Sequence, residues 1–259
     1  MNREDRLIAI LDLLGESGSL GVGDLVDTFG VSPATARRDL DVLADRQLLN
    51  RTHGGASAQS VAYDLPLRYK RGQAAEAKTA IAIAASELVR PGARIGLTGG
   101  TTCTAIATQL SRRSDLEDAR PTVVTNAINI AAQLVLRPHI KVVMVGGAVN
   151  PRSYELAGPL AEPILRQIRL DIAFVGINAL DLKDGPFVHD EKEARVNALL
   201  AGRAGEAWMV ADSSKLGNQA FAAVGPLSDF RGLITDDGIA DAERDALRER
   251  GLEVRIVHP

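Results

Sequence analysis

Over the first 57 residues the apolar positions recur at helical spacing and are interrupted by glycine-containing stops. "REDRLIAILDLLGESG" sets Leu7, Ile10, Leu11 and Leu14 on one face, and its glycine-rich end predicts a terminus. A shorter helix is predicted over "VGDLVDTFG", with Leu25, Val26 and Phe29 inward and Gly30 as the stop. Ser32 is placed to cap a third helix whose first position is Pro33, where a missing amide hydrogen costs nothing. Leu40 and Leu43, with Ala36, give that helix an inward face. "QLLNRTHGGAS" then fits a two-stranded ribbon that turns either near Asn50 or at Gly54 and Gly55. Three helices and a ribbon make a winged helix-turn-helix.

Residues 58–73 are polar, broken by Pro66, and read as a linker. "AAEAKTAIAIAASELV" follows as a strong helix former with an alanine-rich buried side. From residue 93 the period changes. Short β-branched runs ("RIGLT", "TVVTN", "KVVMVGG", "DIAFVGIN", "AWMVADSS", "GLITD", "VRIV") alternate with helical patterns around 102–112, 127–137, 156–167, 190–203 and 241–250. That alternation predicts an α/β fold around a mainly parallel sheet. The expected organisation is an N-terminal winged helix-turn-helix over 1–57, the linker over 58–73, and a larger three-layer α/β effector domain over 74–259.

Composition narrows this picture. Of 259 residues, 46% are hydrophobic but only 3% aromatic, so the core is built from Ala, Val, Leu and Ile. The one cysteine, Cys103, excludes an intrachain disulfide and a cysteine-cluster metal site. No apolar run reaches the ~20 residues that span a bilayer, and a cytoplasmic protein with no membrane contact is expected. The net charge of -3 says little about partners.

In a helix-turn-helix the second helix of the motif enters the major groove, and its exposed early residues meet DNA. Thr35, Arg37 and Arg38 occupy that region of the third helix. An arginine there reaches guanine edges or phosphates, bidentately in either case. Ser32 begins the helix, and Arg51 and His53 sit on the wing, within reach of flanking backbone. An Arg-Arg-Asp run is also what a solvated helix face looks like. Charge does not decide between these readings, because residues 1–57 hold six Lys/Arg against nine Asp/Glu.

The larger domain offers an anion loop. "GLTGGTTCTAIA" joins a strand to a helix, with Gly99 and Gly100 permitting close approach and Thr101 and Thr102 supplying hydroxyls and amides at the helix start. It is neither a P-loop nor a GxGxxG dinucleotide fingerprint, and no cofactor or metal is expected. Cys103 is expected to be a packed residue rather than a nucleophile. Thr125-Asn126, Gly146-Gly147 and the segment ending at Lys215 also follow apolar strands, whose carboxyl ends gather on one side of a parallel sheet. Lys215 suits a phosphate, and Asp190 and Glu193 suit sugar hydroxyls. Tight turns and solvated charges are the plainer explanation of each position alone.

These stretches together resemble the DeoR family of bacterial transcriptional regulators. The resemblance is carried by Arg6, "VS..T.RRDL..L" from Val31 to Leu43, and "L.RTHGGA" from Leu49 to Ala56. In the larger domain it is carried by the 98–102 loop, "VVTN" at 123–126, Gly146-Gly147, Gly158, "D.AFVGI" at 171–177, Glu193-Ala194 and "ADSSKLG" at 211–217. The chain departs from the family at Ala36 (commonly Ile), Gln47 (commonly Gly), Thr98-Gly99 (commonly Asp-Ser) and Asn178 (commonly Asp). The resemblance implies an effector domain with the fold of ribose-5-phosphate isomerase. It also implies double-stranded operator DNA as partner, a phosphorylated sugar or related metabolite as effector, and a homo-oligomer, at least a dimer. The expected protein is a repressor of carbohydrate genes with no catalytic residues. The alternative is a sugar-phosphate isomerase with an accessory DNA-binding domain, with Asp190 and Glu193 as candidates for its general base.

Overall fold

A computed structural model describes residues 1–46, 48–57 and 74–259, in two compact units, Met1–Gln73 and Ala74–Pro259. Gln47 and the expected linker, 58–73, lie outside the described residues.

In the first unit, α1 (Arg3–Ser17) begins where the Asn2 side chain accepts from the Asp5 amide at 2.9 Å, and it ends at Gly18, which takes the left-handed φ of 73°. A short strand, β1 (Ser19–Gly21), leads into α2 (Val22–Phe29), which Gly30 closes. Ser32 caps α3 (Pro33–Asp45), its Oγ accepting from the Thr35 amide at 3.2 Å. The wing is β2 (Asn50–Thr52) and β3 (Gly55–Ser57), joined through His53 and Gly54. Asn50 pairs with Ser57 inside this ribbon, so the turn lies at His53-Gly54 and not near Asn50. The sheet also has three strands rather than two, because β1 pairs antiparallel with β3. Gly55 makes that pairing possible, since a Cβ there would lie 1.9 Å from the Leu20 carbonyl oxygen. Leu7, Ile10, Leu11, Leu14, Leu25, Ala36, Leu40 and Leu43 form the core with Leu48, Leu49 and Ala56, and Val26 and Phe29 pack at its margin.

The second unit opens with α4 (Ala75–Glu87) and then builds β4 (Arg94–Leu97), α5 (Thr101–Leu110), β5 (Thr122–Thr125), α6 (Ile128–Leu134) and β6 (Lys141–Met144). A hairpin of β7 (Ala148–Val149) and β8 (Leu156–Ala157) precedes α7 (Glu162–Arg166) and β9 (Leu170–Gly176). The expected helix over 156–167 is therefore shorter than the pattern suggested: Leu156–Ala157 is strand, 158–161 is a turn, and only Glu162–Arg166 is helical. Next come β10 (Ala179–Asp181), β11 (Gly185–Val188), α8 (Glu191–Gly202), β12 (Ala204–Val210), β13 (Ala222–Ala223), β14 (Gly232–Asp236), α9 (Asp241–Glu249) and β15 (Glu253–Val257). Strands β10, β11 and β13 form a small antiparallel sheet that the periodicity does not announce.

The seven expected strands make one parallel sheet in the order β15-β14-β12-β9-β4-β5-β6. Side chains alternate across it. Ile95, Leu97, Val123, Ile172, Phe174, Trp208 and Ile234 pack with α4, α5 and α6 on one face. Val124, Val175, Met209 and Leu233 turn to the face covered by α7, α8 and α9. A sheet buried on both faces needs apolar residues in continuous runs, which is why these strands are legible. From β4 the chain winds outward through β5 and β6, then returns to lay β9 on the other side of β4. The order thus reverses between β4 and β9, where open α/β sheets place their ligands, beyond the carboxyl ends of the strands.

Candidate functional site

On α3 the helical period divides the "RRDL" run. Ala36, Asp39, Leu40 and Leu43 are buried, whereas Arg37 and Arg38 are exposed and Thr35 half-buried. The Asp39 carboxylate is turned inward, accepting from Arg6 Nε at 2.7 Å and Arg3 Nε at 3.4 Å. Arg51 Nε donates to Asp41 at 2.9 Å, and its Nη1 donates to the Gly55 carbonyl, fastening the wing to α3. These pairings neutralise two of the acidic groups on α3, while Arg37 and Arg38 form no ion pair among the described residues. The exposed side of α3 thereby carries the guanidinium groups of Arg37 and Arg38 without a neutralising partner among the described residues. His53 is exposed at the wing tip.

In the second unit the 98–102 loop leaves β4 at the sheet's switch point. Thr98 is fully buried, its Oγ1 accepting from the Gly176 amide at 2.9 Å, so it ties β4 to β9. Gly100, at φ 100°, starts α5 with no side-chain cap, leaving the amides of the first turn to other acceptors. Gly100 and Thr101 are half-buried; Thr102 and Cys103 are buried. Burial pushes the Cys103 thiol up to about 12, with the Thr98 hydroxyl 3.6 Å away, so it is an inert packed group.

Across from the loop stands a residue the sequence reading omitted. Glu155 is buried on the turn between β7 and β8, and its carboxyl lies against Gly99 so closely that a Cβ there would sit 2.4 Å from Cγ, Cδ and Oε1. The space opened by glycine at position 99 is filled by this carboxyl. Asn126, at the end of β5, donates from Nδ2 to Glu155 Oε2 at 2.8 Å, and the Leu156 amide donates to the Asn126 carbonyl at 2.7 Å. Tyr154, at φ 61°, holds the turn in a left-handed conformation, and the Ile128 amide donates to its carbonyl at 2.9 Å. Burial pushes Glu155 up to about 8; the Glu193 carboxylate adds to that shift, and the Asn126 hydrogen bond opposes it.

Glu193 belongs to the same network. Its Oε1 accepts from Asn150 Nδ2 at 2.8 Å and from the Ser153 hydroxyl, so the turn carrying Glu155 is fastened to α8. Asp190 caps α8, its Oδ1 accepting from the amides of Lys192 at 2.8 Å and Glu193 at 3.1 Å. Gly99, Asn126 and Glu193 therefore converge through Glu155. Other expected positions have structural work. The Thr125 hydroxyl accepts from the Ala127 amide at 3.1 Å. Gly147 packs on β8, where a Cβ would meet the Ala157 carbonyl oxygen at 2.7 Å, while Gly146 has ordinary contacts. Lys215 is half-buried in a 3-10 turn after β12, two strands from β4. Near it in sequence, Asp212 pairs at 3.8 Å with the buried Lys78 of α4.

The signal for Glu155 was indirect. A carboxylate in an otherwise apolar "YELAG" strand entry and a glycine at position 99 become one observation only when the fold joins them. Among the described residues, no group of three or more His, Cys, Asp or Glu is disposed to hold a metal ion, and no helix is long and apolar enough to cross a membrane.

Residues 6–61 match the DeoR-like helix-turn-helix domain, and residues 73–237 match the DeoR C terminal sensor domain. The HTH-type transcriptional regulator GlpR of Haloferax volcanii is 34% identical over 251 residues, covering 96% of each chain. The glycerol-3-phosphate regulon repressor of Escherichia coli is 30% identical over 236 residues, covering 91% of this chain and 92% of its own. A solved ribose 5-phosphate isomerase from Methanocaldococcus jannaschii is 19% identical, with a TM-score of 0.38 over 54% of this chain and 53% of its own. Both relatives, which span nearly the whole chain, are named as transcriptional regulators, and this favours the regulator reading over the isomerase alternative. Two matched domains in order and relatives spanning nearly the whole chain place this protein in the DeoR family of helix-turn-helix transcriptional regulators.

Proposed function

We propose that this regulator is a repressor of carbohydrate genes that releases or grips its operator when a phosphorylated sugar or related metabolite binds at the 98–102 loop. DNA is read by α3: Arg37 and Arg38 reach base edges or phosphates, Ser32 and Thr35 support the helix entry, and Arg51 and His53 meet the flanking backbone. The active species is at least a dimer assembled through the second unit, because two recognition helices about 34–36 Å apart match a symmetric operator.

The observation that carries the effector reading is the uncapped start of α5 at the sheet's switch point, with Gly100 opening the backbone to an incoming group. Amides at such a start are oriented for an oxyanion. Asn126, Asp190 and Glu193 border the sugar end in this reading, and Lys215 approaches the phosphate. The relative that represses a glycerol-3-phosphate regulon supports a phosphorylated ligand class. Thermal-shift screening of sugar phosphates against their unphosphorylated counterparts, followed by a ligand-bound crystal structure, tests it. Phosphate density at Gly99–Thr102 is expected. A ligand seated elsewhere, or tighter binding of the unphosphorylated sugar, would overturn it.

A further inference from the structure

We propose that Glu155 gates the effector site: its carboxyl lies beside the place at the 98–102 loop that an effector's oxyanion takes, and the oxyanion binds to the protein in which Glu155 carries a proton. This rests on the effector reading above and adds a residue and a proton to it.

The geometry makes the two groups close neighbours. The Glu155 carboxyl lies against the backbone of Gly99, one residue before the uncapped turn of α5, and is itself almost wholly buried. The Gly99 amide favours its charged form, so an ionised Glu155 already uses part of the field that an oxyanion would need. An oxyanion at the start of α5 and an ionised Glu155 beside Gly99 repel strongly in a buried setting. A second observation points to a missing ligand group. The Asn126 amide that donates to Glu155 has its own Oδ1 buried with no hydrogen-bond partner. A buried acceptor of this kind is costly unless a donor reaches it, and a hydroxyl of a bound sugar is such a donor.

The groups that face Glu155 set its proton affinity. From α8 come the carboxylates of Glu193 and Asp190, both of which favour its neutral form. From β5 comes the neutral Asn126 amide, which opposes them. From α5 comes the Cys103 thiol, which stays neutral because its own pKa is pushed up to about 12. With Glu155 near 8, the site is protonated and receptive at neutral pH, and closes to anions as the pH rises through that value.

Sulfate is the probe, because its charge does not change over the relevant range. Affinity of the full chain for sulfate is measured from pH 6 to pH 10, for the wild type and Glu155→Gln. Wild-type affinity is expected to be flat below pH 7 and to fall by up to about tenfold per pH unit above pH 8, while Glu155→Gln stays flat and binds more tightly than wild type at pH 9. Titration calorimetry of the wild type alone, at pH 9 in buffers of different ionisation enthalpy, gives a check that needs no variant: uptake approaching one proton per sulfate is expected. Parallel pH profiles for the two proteins, or no proton uptake, would overturn the gate while leaving the anion site standing. If neither protein binds sulfate or any sugar phosphate, the anion site falls and the gate with it.

Discussion

Arg6 on α1 donates from Nε to the buried Asp39 carboxylate on α3 at 2.7 Å, and this pair turns the acid of the "RRD" run inward. The acid points into the domain and ties α3 to α1. The two arginines before it are left on the outer face. The run is therefore not a uniformly solvated face, but a structural acid beside two exposed guanidinium groups that form no ion pair among the described residues.

Removing Asp39 should accordingly damage the fold rather than the reading of DNA. Asp39→Ala leaves Arg6 without its partner in a mostly buried position and is expected to cost about 2–4 kcal/mol of stability in the first unit, below the range for fully buried pairs because Arg6 keeps some solvent contact. Arg37→Ala and Arg38→Ala, on exposed positions, are expected to stay within about 0.5 kcal/mol of wild type. Chemical denaturation followed by circular dichroism separates the cases. Equal stability of all three variants would show that the Arg6–Asp39 pair does not hold the helix.

The contact of Glu155 with Gly99 predicts a non-additive pair. Gly99→Ala places a methyl carbon 2.4 Å from the Glu155 side chain and should cost about 1–3 kcal/mol through overpacking. In a Glu155→Ala background the space is empty, and the same substitution should cost at least about 1 kcal/mol less. A double-mutant cycle in urea measures the difference. Strict additivity would mean that the two residues do not share this space.

Glu155 also predicts a pH dependence of stability with an unusual sign for a carboxyl. Its folded value, about 8, lies above the ordinary 4.5, so the folded state binds the proton more tightly than the unfolded one. The resulting stabilisation is full below about pH 4.5 and is lost as the pH rises toward 8. Glu162, Asp115 and Asp171 behave oppositely: arginine hydrogen bonds hold them below the usual range, and their contribution is lost in acid. Between pH 5 and 8 the wild-type melting temperature should fall more steeply than that of Glu155→Gln. Matching slopes would place the Glu155 carboxyl at an ordinary value.

What the sequence disclosed follows from the physics of each element. The seven sheet strands are buried on both faces, so Ile95, Phe174, Trp208 and Ile234 fall in apolar runs that are hard to mistake. The winged core was legible because Leu7, Ile10, Leu11 and Leu14 on α1, and Ala36, Leu40 and Leu43 on α3, each repeat at helical spacing. Short pairings were not: β1 has three residues and pairs with β3, distant in sequence, and β8 has only two, too few to show a period. The effector site was half legible. The glycine loop announced itself, but Thr98 and Thr125 turned out to bond backbone, and Glu155 reaches Gly99 only through the fold.

The central claim is that α3 reads a specific operator through Arg37 and Arg38. Fluorescence anisotropy with the protein's own promoter DNA and a scrambled duplex, across several salt concentrations, tests it most directly. The wild type should prefer the promoter by at least about 10³-fold at physiological salt. An arginine variant that has lost a bidentate base contact should give up about 1–3 kcal/mol of that discrimination, whereas one that has lost a phosphate contact should weaken on both duplexes alike and show a shallower salt slope. Equal affinity of the folded wild type for promoter and scrambled DNA would contradict the account.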